Sequence, residues 1–188
     1  KHIFYISSDA VYSLNSENID EKTIPSPTDL YSSMHLTREI MFKSKFDKNL
    51  TILRPTLVYG FGDTHNSYGP NRFFKQLIDE NIIKIFGEGS DIRDHLYIND
   101  LCSLIYSFAD NQISGTYNLA SGNSISYLEL SEKFQNLFPK NVDEIIKIKV
   151  DNKPTRRFIN IDLIQKLFNF KPTNLEESLL EYSKNIIN

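Results

Sequence analysis

Three short apolar runs limit what this chain can fold into: "HIFYIS" at 2–7, "LTILRPTLVYG" at 50–60 and "GTYNLAS" at 115–121, each separated from the next by stretches of helical periodicity. A run of this length, rich in β-branched and aromatic residues and bounded by polar ones, reads as a buried strand of a parallel sheet. Between the first two runs, Leu30, Met34, Ile40 and Met41 suggest a helix to about Phe46, with Asp29 as its N-cap. "LNSENIDEKTIPSPTDL" carries two prolines and many polar residues and reads as a loop. Strands alternating with helices predict an α/β fold.

The rest of the chain keeps that alternation. "RFFKQLIDEN" is helical, and "IIKIFGEGSDIRDHLYI" reads as two short strands around a glycine-containing turn. "NDLCSLIYSFADN" is a helix capped by Asn99 or Asp100, and "SYLELSEKFQNLF" is amphipathic. A late strand, "IIKIKV", precedes two closing helices in "IDLIQKLFNF" and "NLEESLLEYSKNII". With 188 residues, 40% of them hydrophobic, the chain has material for one packed domain.

Composition narrows the function classes. The net charge is −3 with both signs interspersed, which argues against a nucleic-acid partner. Cys102 is the only cysteine, so neither a disulfide framework nor a cysteine metal site is expected, and a reducing cytoplasm fits. No apolar run approaches the roughly 18 residues of a membrane span. No His, Asp and Glu grouping has metal-ligand spacing, so no metal is expected.

Singly, the polar features are weak. Ser7, Ser8 and Asp9 end the first strand, where open parallel sheets bind ligands, but a strand end is often polar. Tyr31 and His35 share a helix face, which more often means packing than catalysis. Gly87 and Gly89 read as turn residues, Arg93 as a solvated arginine, and His65 as a surface histidine in a loop.

Their order along the chain is far more specific. "SSDAVY", "YSSMHLTRE", "RPTLVYGFGD", "GEGSDIRDHLYIND" and "KPTNLEESLLE" follow one another as do the matching segments of the extended short-chain dehydrogenase/reductase family, the nucleotide-sugar epimerases and dehydratases. The chain resembles that family over nearly its whole length. The resemblance implies the C-terminal part of a Rossmann-type parallel sheet plus a small α/β substrate-binding domain. It also implies NAD or NADP as cofactor, a nucleotide-sugar substrate, and a homodimer formed through the Tyr31 helix and the "RFFKQLIDEN" helix. The family's Gly-x-x-Gly-x-x-Gly turn has no match here, so the chain is expected to be the carboxyl-side portion of a longer protein.

Site residues carry over by position. Ser8, Tyr31 and His35 match the catalytic Ser/Thr, Tyr and Lys, with Tyr31, His35 and Pro55 also facing the cofactor. Asp9, Asn71, Arg72, Arg93 and Lys153 fall where the substrate is held, with Arg156 or Arg157 as alternatives to Lys153. Leu57 stands where some members have an asparagine, so that contact is lost. Ala10 replaces the glutamate that 4,6-dehydratases place after their Asp, which favours epimerisation or keto-sugar reduction over water elimination.

The departure that matters most is His35 for lysine. A cation about 4 Å from a tyrosinate is worth up to roughly 4 kcal/mol at an effective dielectric near 20. Lysine supplies that charge at all working pH values, whereas an unperturbed histidine is only about one quarter protonated at pH 7. Two readings follow. Either His35 is kept charged or relays a proton, or the site has degenerated and the protein is a binding scaffold.

Overall fold

The computed structural model describes all residues except 15, 47, 64, 65, 152, 187 and 188. His65, predicted to be a surface loop residue, therefore lies outside the described residues. The chain opens with strand β1 (Ile3–Ile6), a 3₁₀ turn (Asp9–Val11) and β2 (Asn18–Ile19), followed by helix α1 (Leu30–Phe46). Asp29 caps α1 as expected, its Oδ1 accepting the Ser32 amide at 2.9 Å. Next come β3 (Leu50–Pro55), β4 (Leu57–Tyr59), α2 (Gly69–Glu80), β5 (Ile82–Phe86), β6 (Ile92–Arg93), β7 (His95–Tyr97) and α3 (Ile98–Asn111). The remainder is β8 (Gly115–Leu119), β9 (Ile125–Ser126), α4 (Tyr127–Leu137), β10 (Glu144–Ile148), β11 (Phe158–Ile159), α5 (Asp162–Phe168) and α6 (Leu175–Ser183).

The central sheet is parallel with the order β1-β3-β8, Ile3 pairing with Leu50 and Thr51 with Gly115. Four two-stranded ladders surround it: β4 with β7, β5 with β10 and β2 with β11, all parallel, and β6 with β9, antiparallel.

Two predicted elements need correction. "LTILRPTLVYG" is two strands in different sheets, because the chain leaves the central sheet at Thr56, whose amide still donates to Leu119 O at 3.0 Å. The stretch "IIKIFGEGSDIRDHLYI" holds three strands, and β5 pairs with β10 rather than with its neighbours in sequence. Asp100 does not cap α3 either. Its carboxylate takes the Thr173 amide at 2.9 Å and the Thr173 hydroxyl at 2.7 Å, tying the start of α3 to the segment before α6.

Apolar burial is split into two clusters. One lies on the central sheet around Val11, Leu53, Leu96, Phe108, Leu119 and Ile164. The other gathers Phe73, Phe74, Leu77, Ile85, Phe134 and Leu179 between α2, α4, β5 and α6, with Phe74 meeting Phe134 and Tyr182 edge to face at 4.7 and 4.9 Å. Ile98 packs against both. The fold is thus a piece of parallel sheet with a second α/β lobe seated beside it.

Candidate active site

The 3₁₀ turn after β1 packs on α1, and a buried polar network fixes the two together. Glu39, fully buried on α1, accepts from the Ser7 hydroxyl at 2.6 Å and from Arg54 Nε and Nη2 at 2.9 and 2.5 Å. Arg54 Nη1 donates to the Tyr12 hydroxyl at 2.8 Å, and Tyr12 donates onward to Asn118 Oδ1 at 2.7 Å. Burial pushes the Glu39 carboxyl up, but the hydrogen bonds from Arg54 and Ser7 outweigh it and hold the group below its usual range. The end of β1, helix α1 and β3 are therefore joined around one ion pair.

Around this network sit the residues singled out by sequence. Ser8 is the N-cap of the 3₁₀ turn, its Oγ accepting the Ala10 amide at 3.1 Å, which leaves its own O–H to point elsewhere. Tyr31 stands at the start of α1, 60% exposed. Its ring meets that of His35 edge-on at 4.7 Å. His35 is half-buried, and its Nδ1 lies 3.0 Å from the Tyr5 hydroxyl of β1. Burial, then the nearby Arg38, hold the imidazole below its ordinary range, against a weaker opposing pull from Glu39. Pro55 is the last residue of β3, opposite Leu119.

Asp9 is buried with an ion-pair partner that sequence named only as an alternative. Arg157 Nη2 donates to the Asp9 carbonyl at 2.7 Å and stands 3.4 Å from Oδ2. Burial raises the Asp9 carboxyl, while Arg157 and Arg93 pull against it.

The residues expected to hold substrate divide. Arg72 lies over the Phe86 ring at 4.8 Å and donates to Lys84 O, while its Nε has no partner among the described residues. Phe86, Glu88, Asp91, Lys147 and Pro154 line a cavity of about 450 Å³ at the glycine turn. Arg93 is already engaged, donating to the carbonyls of Ile92 and Thr155 and to the Thr155 hydroxyl. Asn71 has a buried side chain that donates to Asp63 at 2.7 Å and accepts the Gly60 amide at 2.9 Å, and so shapes the 60–63 turn. Lys153 is exposed. A larger cavity of about 580 Å³, lined by Tyr59, His95, Ser121 and Lys133 among others, includes none of the predicted site residues.

Sequence reasoning missed Tyr5 and Arg54. Arg54 was readable only as part of an Arg-Pro motif, and nothing local marks Tyr5 as a neighbour of a helix 30 residues away.

The model of the NAD dependent epimerase/dehydratase family matches residues 1–120. A UDP-glucose epimerase of Bacillus subtilis, described as uncharacterized, is 25% identical over 93% of this chain and 57% of its own. The dTDP-glucose 4,6-dehydratase of Bacillus anthracis, solved in complex with NAD, superposes with a TM-score of 0.82 at 21% identity, covering 98% of this chain and 62% of that one. A Pseudomonas aeruginosa protein complexed with NADPH gives 0.81 at 22%, covering 94% and 63%. The chain thus spans roughly three fifths of the length of each of these three proteins.

Proposed function

This chain belongs to the NAD-dependent epimerase/dehydratase family, and from that premise we propose that it is the carboxyl-side portion of an NAD(P)-dependent epimerase or keto-reductase acting on a nucleotide-diphosphate sugar. The observation that carries the reading is the Tyr31–His35 pair on a helix locked by Glu39 to the strand end that bears Ser8. In this reading Tyr31 takes the proton from a sugar hydroxyl, and Ser8 donates a hydrogen bond to the same oxygen. The Ser8 hydroxyl, whose oxygen accepts the Ala10 amide and whose O–H is free to donate, and the exposed phenol of Tyr31 suit those tasks. Ala10 in place of a second acid supports epimerisation or reduction over elimination.

Tyr31, His35 and Pro55 are the residues that would hold the dinucleotide. Their fit rests on an exposed phenol and on an imidazole whose one hydrogen bond among the described residues goes to Nδ1, leaving Nε2 for a ribose hydroxyl. When bound, the nicotinamide supplies hydride transfer. Arg72, whose buried Nε has no partner among the described residues and whose guanidinium stacks on Phe86 at the cavity, suits a diphosphate, and Asp9 a sugar hydroxyl. Arg93 enters as the residue that positions the Thr155 segment along the same cavity. A homodimer through α1 and α2 is part of the proposal.

A second reading, binding without turnover, is favoured by one observation: the His35 imidazole is held toward its uncharged form. Turnover of nucleotide-diphosphate sugars by the full-length protein separates the two. We expect interconversion that Tyr31→Phe lowers by about 10²- to 10⁴-fold. Turnover that survives Tyr31→Phe unchanged overturns the catalytic assignment, and its absence from the unaltered protein supports the binding reading.

A further inference from the structure

His35 occupies a position where the proposed chemistry wants a donor to a ribose hydroxyl, and its other ring nitrogen faces a phenol on a different element. Tyr5 lies on β1, its ring stacked on Phe42 of α1 at 5.0 Å with 30° between the planes, which fixes the direction of its hydroxyl. That hydroxyl is 3.0 Å from His35 Nδ1. Two arrangements fit this distance, with Tyr5 donating or accepting. A phenol is a stronger acid than a neutral imidazole N–H, and an imidazole nitrogen is a stronger base than a phenol oxygen, so donation by Tyr5 is the stronger bond.

We propose that Tyr5 is a positioning residue for His35: its hydroxyl donates to Nδ1, fixes the ring as the Nε2–H tautomer, and so makes Nε2–H the uncharged donor that this site presents where the family has an ammonium group. The inference rests on the cofactor-facing role given to His35 above. The charged groups around the ring are consistent with an uncharged imidazole. Arg38 on the same helix disfavours a second positive charge, and Glu39, which would favour one, is neutralised by Arg54 of β3. A protonated ring carries hydrogen on both nitrogens, and the Tyr5 hydroxyl then turns to accept from Nδ1, so the contact selects the tautomer of the uncharged ring and leaves its protonation to the surroundings.

The test is ¹⁵N–¹H correlation spectroscopy of the imidazoles in the full-length protein, with the His35 signals assigned by their loss in His35→Gln. Above the titration midpoint of the ring we expect an unprotonated Nδ1 and a protonated Nε2, and in Tyr5→Phe a roughly fivefold rise in the ratio of the Nδ1–H to the Nε2–H tautomer. A protonated Nδ1 in the uncharged ring of the unaltered protein overturns the proposal even if Tyr5→Phe does not fold, as does an unmoved tautomer ratio in a folded Tyr5→Phe. Since these readouts need no turnover, their failure is distinct from failure of the proposed reaction, which is read from Tyr31→Phe.

Discussion

Glu39 and Arg54 form a two-point ion pair in the interior, with Oε1 2.9 Å from Nε and Oε2 2.5 Å from Nη2. Arg54 is only 3% exposed, so removing its partner strands a buried charge. Glu39→Gln is expected to lower unfolding stability by about 3–5 kcal/mol in urea titrations. Arg54→Lys should cost a similar order, since a point charge cannot serve Glu39 and Tyr12 together. Because the Glu39 carboxyl is held below its ordinary range, the pair stabilises fully above the unfolded value of 4.5 and its contribution fades as pH falls through the lower folded value.

Asp94 shows the opposite sign. Burial pushes its carboxyl up to about 6, although the amide and hydroxyl of Ser121 donate to it at 2.8 and 3.0 Å. The folded state therefore favours the protonated acid, and stability from this group is present below pH 3.8 and lost as pH rises toward 6. Asp94→Asn should flatten that limb, gaining on the order of 2 kcal/mol at pH 7 relative to pH 4 when denaturation curves are compared with the unaltered protein.

If the uncharged His35 is what limits the basicity of Tyr31, a permanent cation should relieve it. His35→Lys in the full-length protein is expected to raise turnover at pH 7 by about tenfold, a modest share of what a nearby cation can supply. Steady-state rates between pH 6 and 9 check this, and a drop would mean that the imidazole geometry matters more than charge.

Gly89 is held at φ +70°, and a Cβ there would stand 2.8 Å from the Leu128 amide nitrogen. Gly89→Ala is expected to destabilise by about 1–3 kcal/mol and to disturb the cavity at Phe86. Thermal unfolding of the variant measures the first effect.

Helix α1 exposes Leu30, Ile40 and Met41 at 77, 60 and 65%. That apolar surface suits the proposed dimer. Replacing both Ile40 and Met41 with Glu should shift the sedimentation velocity of the full-length protein toward the monomer, and an unchanged dimer peak would exclude this face.

Local signals carried much of this architecture. Asp29 before the Leu30 periodicity marked the start of α1, and the amphipathic pattern of "SYLELSEKFQNLF" marked α4, whose Ser126–Glu129 capping box the structure added. The ordered motifs placed Ser8, Tyr31 and His35 within one family pattern. What stayed hidden is set by partners distant in sequence. Pairing of β5 with β10 is decided by packing of the second lobe, and the break at Thr56 by Leu119. Thr155 engages Arg93 and Asp63 engages Asn71, and no spacing rule reports such contacts.

The ladder between β5 and β10 also has a kinetic meaning. Ile82 meets Glu144 only after α3, β8 and α4 have been traversed, and β2 must wait for β11 near the far end of the chain. Closing such loops costs entropy before any contact repays it, so the pairing of β2 with β11, which spans the most chain, should consolidate last, on the order of milliseconds or slower. Until then the strand edges of β5 and β2 are open to mispairing, and dilution and low temperature during refolding should raise the yield of native protein.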